Sequence, residues 1–399
     1  MLILKCCKLA AVLLLPGLLY LGCKKTEMAL PVDNETTDST EVVTETDITL
    51  YGQLSVSTEN VNGAGSAEGS LKMIDGDINT QFLTEHTSDF FVQMTFPEPR
   101  QVAAYSVTVG DIYNQRDPKD WTVKASNDGV NWVVLNRRSV EDFWARKATK
   151  RYDFINTGSY KYYRWAISET RWDHFLEVGE WRLFSVPPAA QVEGPPSRID
   201  TTRQNGLTLI FVDETAQGLN AQHKQAFKNV FFTNYPKLME AFNPNAIKTV
   251  YFKADPGYPG IAAAHPEHGY VYYGTDYIMN HTQDIDIVTH EIMHLVQNYP
   301  SGPGWVSEGI ADYVRHVYGI DNAAANWSLK PPVAGESYTK GYGTAARFFL
   351  WMEHHMQQGL VKKLDTLMRS GNYTDQFWVT ETGKTVDQLW NDYINNPEL

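Results

Sequence analysis

His290-Glu291-Ile292-Met293-His294, followed by Trp305-Val306-Ser307-Glu308-Gly309-Ile310-Ala311-Asp312, decides how the second half of this chain is read. If 286–299 is a helix, His290 and His294 lie one turn apart on one face, where both imidazoles can grip a single metal ion. Glu291 then leans toward the side where a water awaiting activation would sit. Zinc held by two histidines needs a third protein ligand and an open fourth position. Glu308, fourteen residues after His294, is the expected donor. Asp312 follows it by one helical turn and is expected to accept the spare ring N–H of a ligand histidine, fixing its tautomer. A surface helix with complementary charges is the plainer explanation, but two histidines and a glutamate do not favour a helix especially well. The chemistry such a constellation predicts is hydrolysis, with Glu291 carrying a proton from the attacking water to the leaving amine.

Working outward, residues 1–22 read as a secretion signal, with Lys5 and Lys8 ahead of an apolar run that ends at Leu21. The segment Leu19-Tyr20-Leu21-Gly22-Cys23 resembles a bacterial lipoprotein signal, in which the cysteine is lipidated and becomes the mature N-terminus. Of the three cysteines, Cys6 and Cys7 fall inside the signal, leaving Cys23 alone. A lone thiol cannot form an internal disulfide, so a lipid site fits it, and the folded regions must be stable without cross-links. The formal charge of −13 becomes more negative once the signal and its two lysines are removed. Such a chain does not seek nucleic acid or anionic lipid through bulk charge. The expected location is the outer membrane or cell surface, with the membrane held through acyl chains.

Residues 23–47 are Thr-, Glu- and Asp-rich and are expected to form a disordered tether. Proline pairs across 187–198 predict a linker. Between them, 48–186 alternates apolar and polar residues in short runs, such as Phe91-Val92-Gln93-Met94-Thr95-Phe96 and Trp121-Thr122-Val123-Lys124-Ala125, punctuated by Asn127-Asp128-Gly129. That spacing predicts an all-β sandwich.

Three blocks in this segment, Ile74-Asp75-Gly76-Asp77, Ser126-Asn127-Asp128-Gly129-Val130-Asn131-Trp132 and Gly179-Glu180-Trp181-Arg182-Leu183-Phe184, resemble a coagulation-factor type C (discoidin) domain. The resemblance implies a jelly roll that binds glycans or other surface ligands through loops at one end. It also implies a structural calcium at Asp75, Asp77, Thr80 and Glu180, whose oxygen donors suit a hard cation. The alternative is that Asp75 and Asp77 merely cap a turn. Tyr113, Arg116, Trp144, Arg171, Trp172, His174 and Phe175 fall in expected loops and suit a sugar face, or equally pack on the sandwich.

Residues 199–399 place expected strands at 207–212, 247–252 and 269–274, and helices at 220–242, 286–299, 304–318, 337–358 and 384–394. Mixed strands before helices predict an α+β domain. The blocks Thr289-His290-Glu291 to Gln297 and Trp305 to Arg315 resemble the gluzincin metallopeptidases, and most closely the basic secretory protein family of plants and bacteria. The resemblance implies a zincin-like fold with His290, His294 and Glu308 on zinc and Glu291 as general base. Tyr338-Thr339-Lys340-Gly341-Tyr342 is similar to the gluzincin segment whose tyrosine donates to the oxyanion. Tyr338 is the expected donor and Tyr342 the second candidate, since a phenol keeps its proton at neutral pH. His265 and His268 either touch substrate or cap a loop, and His354 and His355 are expected at the surface.

The combined expectation is a lipid-anchored peptidase acting on protein or glycoprotein, with a carbohydrate-binding sandwich in front of it. A tether to the sandwich's ligand would raise the catalytic domain's local concentration there. The rival expectation is a non-catalytic surface glycan-binding lipoprotein with a degenerate peptidase domain.

Overall fold

The computed structural model describes residues 45–195 and 198–399. The expected signal, Cys23 and most of the expected tether lie outside the described residues. No helix among the described residues is long and apolar enough to cross a membrane.

The first domain is built from β1 (Thr46–Asp47), β2 (Gln53–Val56), β3 (Phe82–Glu85), β4 (Phe91–Arg100), β5 (Ala104–Val109), β6 (Pro118–Ser126), β7 (Val133–Arg138), β8 (Thr149–Asp153), β9 (Tyr160–Thr170) and β10 (Phe175–Ser185). One sheet runs β2-β4-β9-β6-β7 and the other β1-β10-β5-β8, with β3 also paired to β10. All pairs are antiparallel. The period of two builds the core. Val92, Met94 and Phe96 of β4, Trp121, Val123 and Ala125 of β6, and Tyr163, Trp165 and Ile167 of β9 all turn inward. Trp165 lies 5.8 Å from both Trp121 and Trp181, so three indoles tie the two sheets together. The tight turn between β6 and β7 forms where the sequence predicts it. Gly129 takes φ 74° there, and the Asp128 carboxylate accepts the backbone N–H groups of Val130 and Asn131.

The second domain follows as β11 (Arg198–Gln204), β12 (Leu207–Asp213), α1 (Ala221–Ala241), β13 (Thr249–Asp255), β14 (Ala262–His265), β15 (Tyr270–Gly274), α2 (Thr275–Asn280), α3 (Ile287–Gln297), α4 (Gly304–Tyr318), α5 (Tyr342–His355), α6 (Leu360–Arg369), α7 (Gln376–Thr382) and α8 (Val386–Asn395). Its sheet runs β11-β12-β13-β15-β14. The central three strands are parallel, and the two edges are antiparallel. Leu209, Phe211, Phe252, Val271 and Tyr273 form its inner face, packed with Phe227 and Phe231 of α1 and Val288 and Ile292 of α3. An all-β sandwich followed by an α+β domain is therefore the observed architecture.

The outer face of this sheet is covered as well, because Ile210, Val212, Tyr251, Tyr270 and Tyr272 pack with Val140 and Trp144 of the first domain. Strands with parallel neighbours are normally buried on both sides, and here a foreign domain supplies the second cover. Lys253 of β13 is 0% exposed on that face. Its ammonium lies 3.5 Å from Asp142 and from Glu214 and 3.4 Å from Asp255, and it donates to the Val140 carbonyl. A buried ammonium is tolerated only with such partners, and Asp142 comes from across the interface.

Candidate metal centre

Helix α3 is fixed before it offers any ligand. The Asp286 carboxylate ahead of its first turn accepts Thr289 Oγ1 at 3.0 Å, Ile320 N at 2.8 Å and Asp321 N at 2.6 Å. Asn234 of α1 donates to Thr289 at 2.9 Å, which ties the histidine-bearing helix to the core. Asn298 takes φ 39° and ends the helix. On α4, Gly309 lets α5 come close, since a Cβ there would meet Ala345 at 2.7 Å and Phe349 at 2.8 Å. That approach sets the depth of the neighbouring Glu308.

The expected ligands converge. His290 Nε2 and His294 Nε2 are 3.2 Å apart, and Glu308 Oε2 lies 3.3 Å from the first and 3.5 Å from the second. A tetrahedral zinc with bonds of about 2.1 Å separates its donors by about 3.4 Å, so three corners of that figure are preformed. Among the described residues this is the group of three or more His, Cys, Asp or Glu able to hold a metal ion.

Each histidine is oriented from behind. Asp312 Oδ1 accepts from His290 Nδ1 at 2.7 Å. Gln297 Oε1 accepts from His294 Nδ1 at 2.7 Å, its own amide nitrogen being committed to the Ser307 carbonyl at 2.9 Å. Both Nδ1 atoms therefore carry protons, and both Nε2 atoms are turned to the shared centre. Gln297 is a partner that sequence reasoning missed, although its spacing of three from His294 on a helix was the available signal. The cluster attracts positive charge. Burial opposes protonation of His290, yet Asp312 and Glu308 outweigh it and push its pKa up to about 10.

The cluster floors a cleft of about 610 Å³, whose walls include Ile261, Ala262, Ala263 and Ala264 on one side and Tyr342 on another. Glu291 also lines it, and one of its buried carboxylate oxygens has no hydrogen-bond partner among the described residues. Burial raises the Glu291 carboxyl above the ordinary carboxylate range, against the pull of the two histidines.

The two tyrosines lie in different surroundings. The Tyr338 hydroxyl donates to Asp387 at 2.7 Å, and its ring packs against Trp305 and Trp390, so it braces α8 and does not line the cleft. Tyr342 does line it, 56% exposed, with its ring parallel to that of His290 at 6.2 Å. Gly341 at φ 74° and Tyr342 at φ 46° turn the chain left-handed here. A tyrosine held at positive φ is strained, and such strain concentrates at functional sites.

The other expected sites divide. Asp75, Thr80 and Glu180 gather around one loop, with Thr80 Oγ1 donating to Asp75 and Gly76 N donating to Glu180 Oε1 at 2.8 Å. Asp77 turns instead to the backbone and side chain of Asn79, and Arg182 pairs with Glu180 at 2.8 Å. Tyr113, Arg116, His174 and Phe175 form a loop cluster in which the Arg116 guanidinium sits 4.4 Å from the Tyr113 ring and 5.2 Å from that of Phe175. Trp144, Arg171 and Trp172 are not on that surface. Trp144 donates to Asp255 at 3.2 Å, Trp172 stacks on His268 at 4.0 Å, and Arg171 lies over Trp172 and pairs with Asp142. His265 and His268 thus meet the first domain, and His355 reaches the Glu398 carbonyl.

No curated protein sequence matches the chain. Solved structures similar to its first domain include the family 32 carbohydrate-binding module of Clostridium perfringens NanJ in complex with galactose (16% identity, 36% of this chain and 100% of that one, TM-score 0.30). Module 1 of that family from a Clostridium perfringens family 31 glycoside hydrolase is 20% identical, over 35% of this chain and 100% of that one, with TM-score 0.29. The C-terminal domain of a Bacteroides fragilis chitobiase is 19% identical, over 35% and 96%, with TM-score 0.30. Residues 207–393, which carry the cleft and the histidine–glutamate cluster, match the family described as "Peptidase of plants and bacteria".

Proposed function

We propose that the protein is a zinc-dependent peptidase acting on protein or glycoprotein chains. The carrying observation is the convergence of His290 Nε2, His294 Nε2 and Glu308 Oε2 at tetrahedral spacing, with each imidazole oriented from behind. Zinc there would activate water as a nucleophile at neutral pH and polarise the scissile carbonyl. The rest is done by this chain's own groups. Glu291 takes the proton of the attacking water on its free oxygen and returns it to the leaving nitrogen. Tyr342, in place of Tyr338, donates to the oxygen that gains charge. The substrate reading is supported by β14, which ends the sheet and whose residues line the cleft. An extended peptide can add to such an edge through main-chain hydrogen bonds, which few other substrates can exploit.

Two further parts belong to the same reading. Tyr113, Arg116, His174 and Phe175 offer ring faces beside a guanidinium, a chemistry suited to a carbohydrate, as the discoidin resemblance implies. Cys23, outside the described residues, is the proposed lipid site that holds the protein at a membrane. The test is zinc content and a peptide-library digest of the full chain, its Glu291→Gln variant and its His294→Ala variant. One zinc per chain in the first two, lost in the third, with cleavage by wild type alone, is the expected result. Normal turnover by Glu291→Gln overturns the mechanism, and unchanged zinc in His294→Ala overturns the ligand assignment.

A further inference from the structure

The cleft wall formed by β14 and the turn before it is held from outside its own domain. Ala262, Ala263 and Ala264 line the cleft, but the strand's next residue, His265, faces Trp172 of the first domain at 5.5 Å. His268, just beyond it, stacks on the same indole at 4.0 Å with the rings 9° apart. The turn ahead of β14 is held by the other indole. Trp144 Nε1 donates to Asp255 Oδ2 at 3.2 Å, and Asp255 Oδ1 accepts Gly257 N at 2.7 Å. The Trp144 ring then lies 4.8 Å from that of Tyr258, whose hydroxyl donates to the Ala262 carbonyl at 3.1 Å. Two indoles on separate loops of one domain therefore grip both ends of a short strand in the other.

Within its own domain that strand has β15 beside it and α3 against it. β14 is four residues long, pairs on one side with β15, and offers alanine side chains that pack weakly. An edge that must accept a substrate strand keeps one side open, so its position has to be fixed from behind. We propose that Trp144 and Trp172 are positioning residues of the cleft, by which the first domain sets β14 for an extended substrate. The inference rests on the peptidase reading above and gives the first domain a role at the cleft itself, besides any ligand of its own.

The experiment compares the full chain with Trp144→Ala, Trp172→Ala, Trp144→Phe and Trp172→Phe, by hydrogen exchange and by peptide kinetics. In the alanine variants, amides at 258–265 should exchange about tenfold faster or more while α3 and α4 keep their protection. KM for an extended peptide should rise about tenfold with kcat and zinc content near wild type, because ground-state placement is lost and the chemistry is not. Trp172→Phe keeps a ring on His268 and should stay near wild type. Trp144→Phe loses only the donor to Asp255 and should quicken exchange at 256–258. Wild-type exchange across 256–265 in the alanine variants overturns the proposal, as does a wild-type KM. Should alanine also strip protection from α3 and α4, Trp144→Phe decides, and unchanged exchange at 256–258 is then the overturning result. A wild-type chain that cleaves nothing defeats the peptidase reading, while the exchange result still decides whether the indoles hold the strand.

Discussion

Asp312→Asn isolates the electrostatic part of the metal centre. The carboxylate accepts from His290 Nδ1 at 2.7 Å, and both residues are buried. Asparagine keeps an acceptor oxygen in the same place, so the ring stays oriented while one negative charge disappears. Adding the imidazole and a zinc–nitrogen bond puts that charge about 7 Å from the ion. Zinc with Glu308 bound carries one net positive charge, and at an effective dielectric of about 20 the lost attraction is about 2.4 kcal/mol. Zinc affinity should fall by roughly 50-fold, inside the 10- to 100-fold range typical of partners behind a metal ligand. Gln297→Ala removes a neutral partner from His294 and should cost less. Competition against a chromogenic chelator measures both Kd values on folded protein. If Asp312→Asn binds zinc as wild type does, or Gln297→Ala is the weaker binder, charge behind His290 is not what holds the ion.

The two tyrosines should separate cleanly. Tyr342→Phe is expected to lower kcat about 100- to 1,000-fold with KM little changed, whereas Tyr338→Phe should turn over normally and lower Tm through its lost bond to Asp387; the reverse pattern in steady-state kinetics refutes the assignment. Calcium bound through Asp75, Thr80 and Glu180 should stabilise the full chain by about 2.7 kcal/mol at 100-fold excess over Kd, and so raise its Tm. The shift should vanish in Asp75→Asn, and no calorimetric shift in wild type leaves these residues a turn alone. Arg116→Ala should abolish retention on a glycan array while leaving peptide cleavage intact, and an unchanged array profile removes that loop cluster as the carbohydrate site.

Much of the centre was legible because helical geometry is local. Residues four apart share a face whatever surrounds the helix, so His290 with His294, and Glu308 with Asp312, could be placed without knowing the fold. Gly309 stands beside Glu308 for a reason visible only once α5 is seen against it. Which of the two tyrosines lines the cleft was not legible, because the left-handed turn at Gly341 and Tyr342 decides it and periodicity carries no sign of that turn. β14 was missed because three alanines have weak strand preference, and its pairing with β15 makes it a strand. For Trp144 and Trp172 the sequence left a sugar face and packing on the sandwich both open, since contacts across a domain interface leave no local pattern. Helix α6 was overlooked although Leu360, Leu364 and Met368 recur at helical spacing.

The covered outer face of the second sheet bears on how the chain comes to be folded at all. Its central strands are parallel, so each pairs only after a crossover between them has been laid down. Until they close, Tyr251, Tyr270, Tyr272 and the ammonium of Lys253 have no cover of their own, and such surfaces stick to one another. The sandwich precedes the sheet along the chain, so it emerges first and can fold first. It can stand ready with Val140, Trp144 and Asp142 as a template onto which the later strands settle. The order of the two domains along the chain then matters for solubility during folding, and a chain that began with the peptidase region would meet its most adhesive moment unaccompanied.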